Sequence, residues 1–288
     1  MKGILLAGGT GSRLYPMTKT VSKQLLPIYD KPMVFYPLST LIQLGISEIL
    51  IITTPRDLTA FQDLLGDGSD LGCSFQYATQ SAPNGLAEAF LIGESFIGKD
   101  PVALILGDNL FYGSAIDTLA LTTKNFSGGL ILGAHVQHPE RYGIVALHAD
   151  GTIASIEEKP KNPKSNLAIP GLYFFDATVV EKAKNVRPSA RGELEITDIH
   201  KAYWEAGALE VRVLESGTAW LDTGTVSSLS NAHAFVEALQ SRQGVLVGSP
   251  ELAAYKSGLI SKTALAKLAQ QYEGSEYGHT LTRWIDAR

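Results

Sequence analysis

The stretch Gly3-Ile4-Leu5-Leu6-Ala7-Gly8-Gly9-Thr10-Gly11-Ser12-Arg13-Leu14 decides the fold of this chain. Its apolar beginning predicts a buried strand, and the glycines that follow allow a tight turn whose N–H groups can face an anion. The loop departs from the dinucleotide fingerprint, which needs a third glycine where Leu14 stands, and from the Walker pattern, because no Gly-Lys-Ser/Thr follows. A plain glycine turn with solvated cations is the alternative at this point.

Apolar runs alternate with amphipathic stretches through the first half of the chain. Strands are predicted at Glu48 to Thr53 and Val102 to Leu106, and helices at Pro32 to Leu44 and Leu86 to Phe96. The run Ile49 to Ile52 is apolar at every position, as in a strand covered on both faces. This alternation predicts an α/β fold with a doubly wound, mostly parallel, Rossmann-like sheet.

The pattern changes after Gly128. Leu130 to Val136, Gly143 to His148 and Thr152 to Glu158 are predicted strands with little helix between them, which indicates a β-rich insertion. From Thr225 onward the chain is mostly helical. We therefore expect a core over residues 1–244 that includes the β-rich part, followed by a helical C-terminal region over residues 245–288.

Composition limits the classes of function. The 288 residues include 24 Lys plus Arg and 29 Asp plus Glu, a net charge of −5, so the chain lacks the basic field that nucleic-acid binding requires. Cys73 is the one cysteine, which excludes an internal disulfide and fits a reducing cytoplasm. The N-terminus has no signal-peptide pattern, and no apolar run approaches the ~20 residues of a membrane span. We expect a cytoplasmic protein with no membrane or nucleic-acid partner.

Further motifs follow the glycine loop. They are Ser22-Lys23-Gln24-Leu25-Leu26-Pro27, Leu106-Gly107-Asp108-Asn109, Pro139-Glu140-Arg141-Tyr142-Gly143, Glu157-Glu158-Lys159-Pro160, Arg191-Gly192-Glu193-Leu194-Glu195-Ile196-Thr197-Asp198 and Trp220-Leu221-Asp222-Thr223-Gly224. With the loop, this set resembles the signature of the sugar-nucleotide pyrophosphorylases from Lys2 to about Glu251. It is most similar to the members that join dTTP to glucose-1-phosphate. The resemblance implies a nucleotidyltransferase core, release of pyrophosphate, and a place at the first step of dTDP-rhamnose or deoxysugar synthesis.

Two aspartates stand at predicted strand ends. Asp108 follows the strand that ends at Leu106, and Asp222 follows Ala219-Trp220-Leu221; open α/β sheets bind ligands at the carboxyl ends of their strands. Two carboxylates, with phosphate oxygens and water, make a typical Mg²⁺ shell. The resemblance implies that Asp108 and Asp222 hold Mg²⁺, whereas the residues alone also allow helix-cap or turn aspartates.

Four cationic residues are the predicted catalytic groups. The attacking sugar phosphate is already an anion, so the reaction needs positioning and positive charge and no general base. The resemblance places Arg13 and Lys23 on the triphosphate, Lys159 on the sugar phosphate and Arg191 near the phosphates. A solvated Lys159 at a strand end and an Arg191 in a loop that leads to a helix are the alternatives.

The predicted nucleotide site combines the glycine loop with a second segment. Its residues are Gly8, Gly9, Thr10, Gly11, Arg13, Lys23, Gln24, Gln80, Gly85 and Asp108. Gln80 and Gly85 match the family's base-reading segment, and a primary amide can donate and accept toward the N3–H and O4 of thymine or uracil. An exposed loop amide is the alternative for Gln80. The residues do not separate thymine from uracil; only the resemblance favours dTTP.

The sugar site is predicted from the resemblance. Its residues are Tyr142, Gly143, Glu158, Lys159, Ile169, Gly171 and Trp220. The chain departs from the family pattern at Leu167 and Ile169, where Tyr and Val are usual. Leu167 removes a hydroxyl, and the change at Ile169 is mild.

The C-terminal helices carry no chemistry that the sequence identifies. The resemblance implies that they contribute to a homotetramer with feedback by dTDP-rhamnose. Other functions stay open: a uridylyltransferase of the same fold, an NAD-dependent oxidoreductase suggested by the first strand–glycine unit, and a non-catalytic, nucleotide-sensing subunit. The missing third glycine argues against the oxidoreductase, and the intact set of charged residues argues against loss of catalysis.

Overall fold

A computed structural model describes residues 1–119 and 126–287. The strands are β1 (Lys2–Ala7), β2 (Pro27–Ile28), β3 (Lys31–Pro32), β4 (Glu48–Thr53), β5 (Ser74–Thr79), β6 (Val102–Leu106), β7 (Asn109–Tyr112), β8 (Gly129–His135), β9 (Gly143–Leu147), β10 (Ile153–Glu158), β11 (Leu167–Ala168), β12 (Leu172–Phe175), β13 (Leu209–Val213) and β14 (Ala219–Asp222). The helices are α1 (Phe35–Gln43), α2 (Leu58–Leu65), α3 (Glu88–Ile92), α4 (Glu94–Ile97), α5 (Ala115–Leu119), α6 (Val179–Asn185), α7 (Ile196–Glu205), α8 (Val226–Gln243), α9 (Pro250–Lys256), α10 (Lys262–Gln271) and α11 (Glu276–Asp286).

A large twisted sheet organises the molecule. Its strand order is β10-β9-β11-β8-β12-β6-β1-β4-β5, and β13 pairs with β8. The strands β6, β1, β4 and β5 run parallel, as do β8 and β13. The antiparallel pairings belong to β12 and to the β-rich part, where β9 and β10 form the hairpin expected around Asp150-Gly151. The predicted α/β class, with a mostly parallel core and a β-rich insertion, is confirmed.

Both faces of the sheet are buried, which makes the fold doubly wound. Because side chains alternate along a strand, Leu5 of β1 joins one core cluster and Ile4 joins the other. The first cluster includes Leu38 of α1. The second includes Phe90 of α3 and Ile199 of α7. Both clusters pack against the central strands. Because these strands are parallel, their carboxyl ends lie along one edge of the sheet, and the two clusters support that edge.

Two predicted helices have different bounds in the structure. The helix expected from Pro32 begins at Phe35, because Lys31–Pro32 pairs as β3 with β2. The helix expected from Leu86 to Phe96 is divided at Gly93 into α3 and α4. A side chain at Gly93 would stand 3.1 Å from the Ile4 Cδ1 atom, so this position marks a close approach of helix and sheet.

The C-terminal helices pack directly on the core. Ala253 and Ala254 of α9 lie in the same buried cluster as Leu41 of α1. Helices α10 and α11 form a separate small cluster around Leu265 and Leu281. The division at residue 244 stays a prediction, although α8 does end there on a left-handed Gly244. Over the described ranges, no helix has the length and apolar character needed to cross a membrane.

Candidate active site

One cavity of about 690 Å³ opens at the carboxyl ends of β1 and β6. All of the predicted site residues line it: Gly8, Gly9, Thr10, Gly11, Arg13, Lys23, Gln24, Gln80, Gly85, Asp108, Tyr142, Gly143, Glu158, Lys159, Ile169, Gly171, Arg191, Trp220 and Asp222. These residues come from segments spread over more than two hundred positions of the chain. The structure thus brings the whole predicted set together, while the role of each residue stays a prediction.

The glycine loop begins where β1 ends. Gly9 and Gly11 have φ values of +91° and +61°, which residues with side chains rarely adopt. The Gly11 carbonyl accepts a hydrogen bond from the Thr18 hydroxyl at 2.7 Å, which holds the loop in place. A 3-10 turn over Ser12–Leu14 follows and leaves Arg13 exposed on the cavity wall. The loop can therefore present backbone N–H groups and a guanidinium to an anion.

Gln24 ties the glycine loop to the next segment. Its Nε2 atom donates to the Gly8 carbonyl at 3.3 Å, and its Oε1 atom accepts from the Ser22 hydroxyl at 2.6 Å. The side chain is buried. Its amide is therefore engaged in supporting the loop, although it also lines the cavity.

Lys23 and Asp108 form an ion pair at the base of the cavity. The Lys23 side chain is 9% exposed, and its ammonium donates to the Asp108 Oδ2 atom. Asn109 Nδ2 donates to the other carboxylate oxygen at 2.8 Å. Burial acts to raise the pKa of Asp108, but the Lys23 charge and these hydrogen bonds outweigh it, so the net pKa lies below the usual value. Asp108 is therefore held as an anion in a half-buried position.

The pKa of Asp222, at the end of β14, is shifted in the opposite direction from that of Asp108. Burial, and then the negative charge of Asp108, raise the pKa of Asp222 above the usual value. The Gly224 N–H donates to its Oδ1 atom at 2.8 Å, and Arg141 Nη2 lies 3.5 Å from Oδ2. Two carboxylates that repel each other beside a cavity favour a bound cation.

The predicted sugar end contains a second group of charged residues. Glu158 accepts from the Thr197 hydroxyl at 2.5 Å, and its Oε1 atom lies 3.3 Å from the Lys159 ammonium. Lys159 has a φ of +40°, an uncommon conformation for a residue with a side chain. Such a conformation persists only where the surroundings enforce it, and it is often found in functional sites. It redirects the chain just after β10 ends.

Asn109 forms hydrogen bonds with three residues that line the cavity, Asp108, Gly171 and Trp220. Its Oδ1 atom accepts from the Gly171 N–H at 3.0 Å and from the Trp220 Nε1 atom at 2.6 Å. The Trp220 ring packs edge-on against Tyr142 with ring centroids 5.0 Å apart. The amide thus links the anion Asp108 to the aromatic side of the predicted sugar site.

The Arg191 guanidinium is held by carboxylates, which the sequence does not predict. It donates to both oxygens of Glu195 at 2.8 Å and lies 3.4 Å from Glu158. The hydrogen bonds with Glu195 raise its pKa. Arg191 lines the cavity as a guanidinium held by carboxylates, so only part of its donor set faces the open space.

Gln80 follows β5 and is 6% exposed, so the alternative of an exposed loop amide is wrong. Its Nε2 atom donates to the Gly85 carbonyl at 3.1 Å and to Glu88 Oε2 at 2.7 Å. Both donors are therefore used inside the protein. The expectation that this amide both donates and accepts toward a base is corrected: its oxygen alone is available.

Several residues of the site are missing from the sequence-based prediction, including Glu195, which holds Arg191, and five others. Asn109, Glu88, Arg141, Thr197 and His200 contact predicted residues or line the cavity. Asn109 and Arg141 stand beside motif residues and could have been found from that position. The contacts of Glu88, Thr197 and His200 depend on tertiary packing that no local pattern reveals.

His200 is a buried, neutral imidazole in the cavity wall. It is 1% exposed, and neither ring nitrogen has a partner within the described part of the chain. Its ring stacks at 6.0 Å from Phe175 and lies 5.0 Å from Tyr173. Burial lowers its pKa to about 3. The residue therefore behaves as an aromatic packing element at neutral pH.

Comparisons with known proteins agree with this geometry. The family model described as "Nucleotidyl transferase" matches residues 2–238. The chain is 54% identical over 286 residues to glucose-1-phosphate thymidylyltransferase of Mycolicibacterium smegmatis, with 99% of each chain covered. It is 51% identical to the enzyme of that name from Neisseria meningitidis serogroup A, again with 99% of each covered.

Solved structures show the same likeness. A Bacillus anthracis protein assigned as a glucose-1-phosphate thymidylyltransferase and solved with sucrose aligns with a TM-score of 0.76 at 42% identity, covering 82% of this chain and 94% of that one. A UDP-glucose pyrophosphorylase complexed with UDP-glucose aligns with a TM-score of 0.71 at 26% identity, covering 84% and 99%.

Proposed function

This chain belongs to the nucleotidyl transferase family, and we propose that it transfers a thymidylyl group from dTTP to α-D-glucose-1-phosphate, giving dTDP-glucose and pyrophosphate. The names of relatives that are half identical over the full chain support this reaction. The observation that carries it is one shared cavity, which joins a glycine loop, a half-buried carboxylate pair and cations from four segments.

The chemistry is a direct displacement at phosphorus. An oxygen of the sugar phosphate forms a bond to the α-phosphorus of dTTP, the bond from that phosphorus to the β-phosphate oxygen breaks, and the electron pair leaves with pyrophosphate. The nucleophile is already ionised, so no residue must remove a proton. The protein's contribution is to align two polyanions and to stabilise the charge that develops.

Arg13 and Lys23 are proposed to bind the triphosphate. Arg13 is exposed beside the glycine loop, and Lys23 reaches the base of the cavity. Lys159 and Arg191 are proposed to bind the sugar phosphate from the other side. Because Arg191 is held by Glu195, its geometry is fixed before substrate binds, which lowers the entropy cost of alignment.

Asp108 and Asp222 fit a Mg²⁺ site. Among the described residues no group of three His, Cys, Asp or Glu could hold a metal, so the protein supplies two carboxylates at most. Mg²⁺ commonly takes one or two carboxylates and completes its shell with water and substrate phosphates. The ion would neutralise the phosphates and orient them for attack. The Asp108 charge raises the Asp222 pKa, which is the repulsion that such a cation relieves.

The base is proposed to lie in the part of the cavity that Gln80 and Gly85 line, beside the start of the glycine loop. The Gln80 Oε1 atom lies 2.8 Å from the point that a Cβ on Gly8 would occupy. A free acceptor at this place suits the N3–H of thymine. The absence of a side chain at Gly8 allows the Gln80 oxygen to approach the start of the glycine loop this closely.

The sugar is proposed to bind against Tyr142, Gly143, Glu158, Ile169, Gly171 and Trp220. Glu158 supplies an acceptor for hydroxyls, and its orientation is set by Thr197. The Gly143 carbonyl accepts from the Ile169 N–H at 2.8 Å, so these two backbone segments are fixed together. Aromatic Trp220 gives a flat apolar wall, held by its hydrogen bond to Asn109.

We also propose that the product enters dTDP-rhamnose or related deoxysugar synthesis in the cytoplasm, and that the chain forms a homotetramer subject to feedback by dTDP-rhamnose. The support for these points is the family resemblance alone. Light scattering tests the tetramer, and inhibition of turnover by dTDP-rhamnose tests the feedback.

The reaction is tested by pyrophosphate release with α-D-glucose-1-phosphate and Mg²⁺ across dTTP, UTP, dCTP, ATP and GTP. We expect strong turnover with dTTP, weaker turnover with UTP, and loss of both on chelation of the metal. Preference for UTP would favour the uridylyltransferase. Absence of turnover with every triphosphate, together with nucleotide binding, would favour the non-catalytic subunit.

A further inference from the structure

Glu88 lies behind the base-reading amide, at the start of α3. Its Oε2 atom accepts from Gln80 Nε2 at 2.7 Å, and its Oε1 atom accepts from Asn84 Nδ2 at 2.8 Å. Glu88 is half-buried and does not line the cavity. It therefore reaches the cavity indirectly, and Gln80 is the cavity-lining side chain that it bonds.

Two acceptors decide which way the Gln80 amide points. A backbone carbonyl, that of Gly85, and the Glu88 carboxylate can only accept hydrogen bonds. With the amide turned over, its oxygen would face both of these oxygens, and a buried acceptor without a donor is costly. The nitrogen must therefore face inward and the oxygen outward. No donor from the described parts of the chain bonds that oxygen.

The backbone around Glu88 is held firmly. The Leu194 N–H donates to the Asn84 carbonyl at 2.6 Å, and the Ala87 N–H donates to the Leu194 carbonyl at 3.1 Å. Gly85 has a φ of +109°, and a side chain there would stand 2.3 Å from the Leu194 carbonyl oxygen. The carboxylate is thus kept at a fixed distance from Gln80.

We propose that Glu88 is a positioning residue that sets base selectivity by making Gln80 an obligate acceptor. This inference rests on the proposed function. Thymine and uracil present an N3–H donor at the centre of their pairing edge, whereas cytosine presents a lone pair there. An amide free to turn would serve either base. When Glu88 holds the amide, the Gln80 oxygen faces the cytosine lone pair, and two acceptors facing each other disfavour cytosine binding.

The test compares Glu88→Leu with the wild-type protein, using glucose-1-phosphate and either dTTP or dCTP. We expect the ratio of kcat/KM for dTTP to that for dCTP to fall about tenfold, since about one hydrogen bond of discrimination is lost. The change falls on KM for the nucleotide, and KM for glucose-1-phosphate stays the same. Glu88→Gln keeps an acceptor oxygen for Gln80 and should retain most of the selectivity.

A double substitution shows whether Glu88 acts through Gln80. In a Gln80→Ala background, Glu88→Leu should leave the ratio unchanged, because the side chain it orients is gone. Glu94→Gln is the matched control; Glu94 pairs with Lys184 at 2.6 Å, away from the cavity. If Glu88→Leu does not fold, Glu88→Ala replaces it with the same expectation.

The outcomes separate the two claims. A wild-type protein that is inactive with dTTP would overturn the proposed function, and with it this inference. An active wild-type protein whose Glu88→Leu variant keeps the full dTTP-to-dCTP ratio would overturn the inference about Glu88 alone. So would a further fall in the ratio when Glu88→Leu is added to Gln80→Ala.

Discussion

Asp108 keeps its charge in a half-buried place because Lys23 and Asn109 both donate to its carboxylate. Asp108→Asn preserves the shape but removes the charge, so we expect kcat/KM to fall by about two orders of magnitude or more, as for other preorganised charges. Turnover measured across a Mg²⁺ titration checks this. Asp63→Asn, on the exposed surface of α2, is the control and should leave turnover unchanged. Unchanged turnover in Asp108→Asn would refute the metal assignment.

His200 predicts a pH dependence of stability. Burial lowers its pKa to about 3, against about 6.5 in an unfolded chain. As pH falls through this window, the unfolded state takes up a proton that the folded state does not. The free energy of unfolding should therefore drop toward acid, by up to ~1 kcal/mol per pH unit from this residue.

His200→Phe should remove that contribution, since phenylalanine can stack on Phe175 without titrating. Urea unfolding at pH 7.5, 6 and 5 measures it, with His148→Phe on an exposed turn as the control. The advantage of His200→Phe over wild type should grow as pH falls. A constant difference at all three values would contradict a buried neutral imidazole.

The loop from Gln80 to Glu88 is an element whose shape depends on one glycine. In Gly85→Ala the new Cβ meets the Leu194 backbone at 2.3 Å and the residue keeps a φ of +109°, so the loop must shift. We expect a rise in KM for dTTP of tenfold or more and a loss of about 1–3 kcal/mol in unfolding free energy. Steady-state kinetics and urea unfolding measure the two effects.

Gly207→Ala is the matched control for that loop. Gly207 has a φ of +65°, but no atom of residues 1–119 and 126–287 lies within 4 Å of the added Cβ. It should cost about 1 kcal/mol in stability and leave KM for dTTP unchanged. A Gly85→Ala variant indistinguishable from this control would show that the close approach to Leu194 has no effect on the site.

Elements formed by local rules were predictable from the sequence. The strand and turn of the glycine loop, and the hairpin at Asp150-Gly151, depend on neighbouring residues and are confirmed. The start of α1 was not predictable. Lys31 pairs with Ile28 in a short strand, and its buried ammonium bonds both Asp30 and Gln240 of α8, about two hundred positions away. The local sequence at Pro32 favours a helix start, but Pro32 belongs to the short strand and the helix begins at Phe35.

At the scale of the whole molecule, the C-terminal region is part of the core. Glu251 of α9 is buried and accepts hydrogen bonds from Ser249, Tyr272 and Tyr277. We therefore expect that ending the chain after Gly244 lowers the unfolding midpoint strongly or prevents soluble expression, because the apolar face of α1 is uncovered. A chain shortened only by Ala287 and Arg288 is the control. A truncated chain as stable as the full one would contradict this packing.

The sequence predicted which residues line the site better than it predicted the hydrogen bonds among them. Every predicted residue lines one cavity, although most of them were predicted from the family resemblance and only the glycine loop and the strand-end aspartates also from local patterns. The contacts among them were not predictable. Asn109 reaches Trp220 over more than a hundred positions through tertiary packing, and Gln80 donates to Gly85 and Glu88 within a loop whose shape no short pattern predicts.

We propose a single in-line transfer between two phosphates in this cavity. The most direct test is the stereochemical course with glucose-1-phosphate and one diastereomer of dTTP carrying sulfur on its α-phosphorus, followed by ³¹P NMR. Direct attack predicts the thio analogue of dTDP-glucose with inverted configuration at that phosphorus. Retention would indicate two displacements through a nucleotidyl-enzyme and would contradict the account, as would the absence of product with an enzyme that binds both substrates.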